Sequence, residues 1–219
     1  MATPIRPDRR HQRRRETIEQ VLDTAVEVMA DQGVAGLTLG EVARRMGIRP
    51  PSLYVYFDGK HALYDALFER GWRELSATMH DAPAGFGTGD LVADLFERST
   101  AFVRWAVEHP AYAPLMFWRP VPGFIPSAAA FTPAVELADF SRGFLRQLRD
   151  GGVLAADTDL DAAWTTWTAV LSGIVSQQLS NAPHEPFASG TFTRTLPDVV
   201  AMWLAHYRAP VPSHPAPPS

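Results

Sequence analysis

No cysteine occurs in this chain, so disulfides, thiolate nucleophiles and thiolate-bound zinc are all excluded. Lysine is almost as scarce: Lys60 is the only one. Long apolar runs are missing too. No stretch approaches the roughly 20 residues that a membrane-spanning helix needs. The basic first residues lead into an amphipathic pattern and not into the apolar core of a signal peptide. The expectation is a soluble, cytoplasmic chain without membrane contact. The histidines at 11, 61, 80, 109, 184, 206 and 214 are scattered, none four residues from another. Nucleophile elbow, phosphate loop and paired metal-ligand spacing are absent, so neither an enzyme nor a metal or other cofactor is expected.

Apolar side chains make up 46% of the 219 residues, enough for one larger or two smaller domains with a proper core. The net charge of −4 rules out a uniformly basic coat for nucleic acid. The charge is unevenly spread. Arg6, Arg9, Arg10, Arg13, Arg14 and Arg15 face Asp8 alone in the first fifteen residues, whereas beyond residue 60 acidic side chains outnumber arginines by sixteen to ten. A basic head on an acidic body predicts that the head alone meets a polyanion. Residues 1–14, with Pro4 and Pro7, read as a flexible basic arm, and 209–219, rich in proline, as a disordered tail.

Between these ends the helical period dominates. Ile18, Val21, Leu22, Ala25, Val28 and Met29 form one stripe of a first helix, stopped by Gly33. Thr38-Leu39-Gly40-Glu41 has the form of a capping box, in which Thr38 accepts from the Glu41 N–H and the Glu41 carboxylate reaches back. A short second helix then buries Val42, Ala43 and Met46 and ends at Gly47. Pro50-Pro51 opens a third short helix, with Leu53 and Phe57 facing inward, and Asp58-Gly59 closes it before a fourth begins near Lys60. Pro83 and the glycines at 85, 87 and 89 mark a linker. Further helices are expected through 91–107, 111–118 and 137–148, then one started by Asp159 or Asp161, and a last from about 192 to 207. No stretch alternates as a strand would, so the fold class is all-α.

Two short helices joined at Gly47 make a helix-turn-helix. Ala43 and Gly47, four residues apart, supply the small residue where the helices touch and the sharp turn between them. The stretch from Leu37 to Leu63, and above all Leu53-Tyr54-Val55-Tyr56-Phe57-Asp58-Gly59-Lys60-His61-Ala62-Leu63, resembles the signature of the tetracycline-repressor (TetR) family. The preceding helix with Gly33 is similar as well, so the resemblance covers roughly residues 15–65.

That resemblance implies a ligand-responsive transcriptional regulator, a repressor as a rule, which binds double-stranded operator DNA as a homodimer and leaves it when a small molecule binds. It implies a three-helix helix-turn-helix domain over 15–62 and a helical ligand-binding and dimerisation domain over 63–208. Thr38 would cap its helix and offer that helix end to a phosphate. Arg49, Pro50, Pro51 and Ser52 would open the recognition helix, Arg49 toward a guanine and the prolines toward a thymine methyl. Tyr54, Tyr56 and Lys60 would meet phosphates. Arg44 and Arg45 read as a solvated face. Arg13 and Arg14 of the arm either enter an adjacent minor groove or anchor phosphates non-specifically.

The C-terminal domain is aromatic-rich. Trp105, Met116, Phe117, Phe140, Phe144, Trp164 and Trp167 are the candidates for lining a pocket for a largely apolar or aromatic effector. By family analogy the last two long helices pair with their copies, with Thr168, Leu171, Val175, Gln178, Val199, Met202 and Trp203 as candidate interface residues. A purely architectural DNA-binding protein would not need so large an aromatic domain.

Overall fold

The computed structural model describes residues 9–81 and 89–209. The first eight residues, the expected linker through residue 88 and the tail from 210 lie outside the described residues. Eight α-helices carry the described chain: α1 (Arg9–Gly36), α2 (Leu39–Arg45), α3 (Lys60–Asp81), α4 (Leu91–Glu108), α5 (Tyr112–Phe117), α6 (Ala128–Asp150), α7 (Leu160–Asn181) and α8 (Leu196–Tyr207). Short 3-10 turns stand at Pro50–Ser52, Phe187–Ser189 and Thr193–Thr195. Extended pairing among the described residues is limited to one isolated antiparallel bridge between Leu154 and Arg208, so the fold is all-α.

The chain forms two compact units. One comprises the residues up to Glu74 with His109–Pro133, the other Leu75–Glu108 with the residues from Ala134 onward. A single cut at 62/63 therefore does not describe the packing, since the first part of α3, α5 and the start of α6 share the core of the helix-turn-helix. Gly71 shows why. A Cβ there would lie 2.7 Å from the Met116 sulfur and 2.8 Å from Tyr112 Cδ1, so α5 sits directly on the bare backbone of α3.

In the first unit, α1 buries Val21, Leu22, Ala25, Val28 and Met29 along one stripe. Gly33 breaks it with φ 72° and ψ 167°. Side chains from α3 satisfy carbonyls beyond this break: the Tyr64 hydroxyl donates to Val34 O at 2.6 Å and Lys60 Nζ to Ala35 O at 3.3 Å. Thr38 caps α2, its Oγ1 accepting from Glu41 N at 3.1 Å. At the other end Ile48 N donates to Ala43 O and Gly47 N to Arg44 O, with Gly47 at φ 68°, which is a Schellman closure. α1 begins at Arg9, so the part of the expected flexible arm from Arg9 to Arg14 is helix. Arg10 and Arg14 keep the helical phase of the buried stripe, and Gln12 bonds Glu16 one turn on at 3.0 Å.

In the second unit α4, α7 and α8 pack on one another around Val103, Ala106, Trp167, Leu171, Val175, Val200 and Trp203. Asp159 caps α7, accepting from the N–H groups of Asp161 and Ala162. Trp203 lies edge-on to Trp167, ring centroids 4.7 Å apart, and its Nε1 donates to Ala163 O. Gln178 is fully buried. Its Oε1 accepts from Phe192 N at 3.0 Å and Thr193 N at 3.3 Å, while Nε2 donates to Ala182 O at 2.7 Å. One side chain thus closes α7 and holds the turn that leads into α8. Replacing Gln178 by leucine keeps the volume but strands a buried donor, so urea unfolding should show a loss of about 1–3 kcal/mol. An unchanged midpoint would contradict this role.

Candidate nucleic-acid interface

The segment after Gly47 has few ways to fold. Pro50 and Pro51 fix their own φ and carry no N–H, so Ser52 is the first donor, and Gly59 at φ 112° ends the segment before α3. The expected third helix is accordingly one 3-10 turn, prolonged by bonds from Tyr56 N and Phe57 N to Leu53 O. Leu53 and Phe57 are buried beneath it, each burial being worth about 1.5–3 kcal/mol. Everything else points outward. Arg49, Pro50, Pro51, Ser52, Tyr54 and Val55 are all exposed, Tyr54 by 59% and Val55 by 67%. Exposed apolar and aromatic groups on a rigid turn, beside a cation, are the surface that a DNA groove takes.

The remaining expected contacts divide. Tyr56 is half-buried, with the Arg14 guanidinium 5.1 Å from its ring centroid. Arg14 Nη1 also donates to Val55 O at 3.2 Å. Arg13 is exposed on the same helical face, and Arg9, Arg10, Arg13, Arg14, Thr17, Val55 and Tyr56 line an open groove of about 880 Å³. Lys60, expected to meet a phosphate, holds Ala35 O and lies 5.2 Å from the Tyr64 ring centroid, so it has a structural task within the unit. The reciprocal arm of the capping box is replaced. The Glu41 carboxylate accepts from Arg44 Nε and Nη2 at 2.8 and 2.7 Å and from Arg45 Nε at 3.0 Å. Arg45 further pairs with Asp31 at 2.8 Å, tying α2 to α1. A second tie escaped the sequence reading: Arg70 of α3 meets Asp23 of α1 at 2.6 Å and Glu74 at 2.8 Å. Only the i,i+4 spacing of Arg70 and Glu74 hinted at it.

The aromatic candidates fall into separate settings. In the first unit Met116 is buried against Gly71, and Phe117 meets Trp72 edge-on, centroids 5.7 Å apart. In the second, Phe140 and Phe144 flank the Arg98 guanidinium at 5.0 and 4.3 Å, and Phe140 also stacks on His80. Trp164 lies against Arg142, Trp105 is buried on α4, and Trp167 belongs to the Trp203 contact.

The interface candidates need a correction. Leu171, Val175, Gln178 and Trp203 are buried within the chain and have no area left to give to a partner. Met202 is 66% exposed, and Thr168 and Val199 are half-buried. Helical period alone could not separate the face that packs inside from the face that is left over.

The fold and its exposed turn define a helix-turn-helix DNA-binding regulator. Residues 21–67 match the bacterial regulatory proteins of the tetR family, and residues 95–199 match the tetracyclin repressor-like C-terminal domain. The chain belongs to the TetR family of transcriptional regulators, which are not enzymes. It is 32% identical over 96 residues to YobS, an uncharacterised HTH-type transcriptional regulator of Bacillus subtilis, covering 44% of this chain and 49% of that one. It is 47% identical over 51 residues to the class C tetracycline repressor protein of Escherichia coli, 23% of each chain. The chain thus spans about half, or less, of the length of these curated relatives. Among solved structures, a protein of unknown function from Rhodococcus sp. RHA1 superposes with a TM-score of 0.72 at 19% identity, over 87% of this chain and 94% of that one. The fatty acid degradation regulator FadR of Bacillus halodurans gives 0.70 at 14%, over 86% and 94%. At such identities the likeness shows the fold alone. No described helix is long and apolar enough to cross a membrane.

The Glu41 clamp has a pH signature. Hydrogen bonds from Arg44, then Arg45, lower its carboxyl from 4.5 to about 2. The folded value lies below the unfolded one, so the clamp favours the fold above the ordinary carboxylate range and loses its effect as pH falls toward 2. Glu41→Gln should therefore cost stability at neutral pH and progressively less in acid, as read by chemical denaturation at both. An equal cost at both would refute the clamp.

Proposed function

We propose that this chain is a ligand-responsive repressor that binds a palindromic operator as a homodimer and is released by a small, largely apolar or aromatic effector. The observation that carries the reading is the recognition turn, solvent-facing from Arg49 to Val55 and fixed from below by Leu53 and Phe57. Arg49 reads a guanine edge, the Pro50-Pro51 pair packs on a thymine methyl, and Ser52, Tyr54, Tyr56 and Thr38 donate hydroxyls to phosphates. Lys60 and Arg13 add charge at the rim. Two copies are needed because half-sites recur about one helical turn, roughly 34 Å, apart.

The second copy docks through the accessible side of α8, with Met202 at its centre and Val199 beside it; Thr168 joins from α7. The effector contacts are drawn from Trp105, Phe140, Phe144, Trp164 and Trp167 in the second unit, whereas Met116 and Phe117 belong to the first. One structural neighbour, FadR of Bacillus subtilis, was solved with stearoyl-CoA, which supports an apolar effector class for this fold. α3 runs through both units as one helix and is the element through which effector binding reaches the recognition turn. The effector acts only through its differential affinity for the DNA-competent and DNA-incompetent states.

Selection from a randomised duplex pool, followed by fluorescence anisotropy on the recovered sequence, tests the reading. A palindrome bound by two copies is expected, and Arg49→Ala should cost about 1–3 kcal/mol and relax preference at one position per half-site. Uniform, strongly salt-dependent binding to every sequence would overturn specific recognition. Met202→Glu should shift the protein from dimer to monomer in sedimentation velocity, and an unchanged dimer would move the interface elsewhere.

A further inference from the structure

Within the second unit, α4 and α6 meet at a cation set on aromatic rings. Phe140 and Phe144 stand four residues apart and so share one face of α6. The Arg98 guanidinium of α4 lies over both, 5.0 Å from the centroid of Phe140 and 4.3 Å from that of Phe144. Phe144 is buried, and Arg98 and Phe140 are half-buried. Arg104 and Arg142 lie over one ring each, Phe187 and Trp164, and Arg104 is exposed. Arg98 is thus the cation drawn furthest onto the aromatic face of this unit.

The charge there is only partly offset. Burial pushes the Arg98 guanidinium below its ordinary value, and the attraction of the buried Asp94, one turn earlier on α4, does not make up the difference. Arg44 and Arg45 go the other way, because hydrogen bonds to Glu41 raise both. A guanidinium also has more N–H donors than one carboxylate can accept from, and the rings hold its charge without accepting from its fork.

We propose that Arg98 is the anchor for an acidic effector: a compound with an apolar or aromatic body and a carboxylate, which the guanidinium takes in its fork while Phe140 and Phe144 bear the body. The inference rests on the effector reading above and narrows its chemistry from apolar to apolar and anionic. The two rings alone would suit any apolar compound. A neutral one laid over them would strip more water from the cation and return nothing, whereas a carboxylate repays that cost with charge-assisted hydrogen bonds. The site also touches α3. His80 stacks on Phe140, ring centroids 4.2 Å apart, and its Nδ1 lies 2.7 Å from Ser76 O. An anion on Arg98 therefore acts one ring away from the helix that continues into the first unit.

The test uses the full chain and two matched probes, 2-naphthoate and 2-naphthamide, which share a ring system and differ in charge. Isothermal titration calorimetry reads their affinities, and anisotropy on the selected operator duplex reads their effect on DNA binding. Wild type should prefer 2-naphthoate. Arg98→Met should weaken 2-naphthoate by about ten- to a hundredfold and leave 2-naphthamide within about twofold. Arg98→Lys, which keeps the charge and loses the planar fork, should retain part of the preference. Arg104→Gln should leave both affinities unchanged. Operator affinity should fall in 2-naphthoate for wild type and not for Arg98→Met at the same concentration. Equal loss of both probes in Arg98→Met, with Arg98→Lys no better, would make Arg98 a packing residue and overturn the anchor while the apolar effector reading stands. A wild-type preference for 2-naphthamide would do the same. Arg98-dependent binding of 2-naphthoate that leaves operator affinity untouched would overturn the effector role of the site. Wild type that binds neither probe would sink the anchor and the aromatic effector class together.

Discussion

The recognition turn has almost no hydrogen-bonded structure of its own, and the function depends on how it is held. One 3-10 turn and two further backbone bonds cannot keep Arg49, Ser52 and Tyr54 in register against chain entropy. Burial of Leu53 and Phe57 does so, and that burial requires α1, α2 and the first part of α3 to be locked as a frame. The lock is polar at its edges. Arg45 joins α2 to Asp31 of α1 and Arg70 joins α3 to Asp23 of α1, while beneath them the buried Tyr64 reaches across to Val34 O. Each such pair at the surface is worth little alone. Together they surround an apolar core, so that the turn is preformed before DNA arrives and ordering it costs little at binding.

The same arrangement explains why the charge of this chain is concentrated where it is. Outside the head, arginines are mostly committed to carboxylates or to aromatic faces, as with Arg44, Arg45, Arg70, Arg98 and Arg142. Arg9, Arg10, Arg13 and Arg14 at the start of α1 line one groove with Thr17, Val55 and Tyr56 beside the recognition turn. A protein that is acidic overall can thus present a locally basic surface to a polyanion while the rest of its surface is repelled, which favours one docking orientation.

Much of this was legible in the sequence, because local signals have local causes. Thr38 and Asp159 as caps, Gly33 and Gly47 as stops, and the inward pair Leu53 and Phe57 all follow from backbone donors and helical period. What was missed depends on partners distant in sequence. Gln178 was an interface candidate by family analogy, but its partners at 192 and 193 hold it inside the chain and lie far along the sequence. Glu41 fits the capping-box pattern, yet two arginines outcompete a single N–H for its carboxylate. Clustered arginines and prolines suggested a flexible arm, although Arg10 and Arg14 stand in phase with the stripe of α1. On α7 and α8 the apolar pattern could not tell the inner face from the outer one, and the seat of α5 on α3 depends on a bare glycine, Gly71, that local rules had no reason to single out.

The central claim, that DNA is read by a preformed turn flanked by a basic helix, is tested most directly by amide hydrogen exchange with and without the selected operator duplex. Slowed exchange on binding in peptides covering residues 49–57 and 9–17, with the α7 and α8 peptides unchanged, is the predicted result. Protection confined to α7 and α8, or slowed exchange spread evenly over the chain, would contradict it.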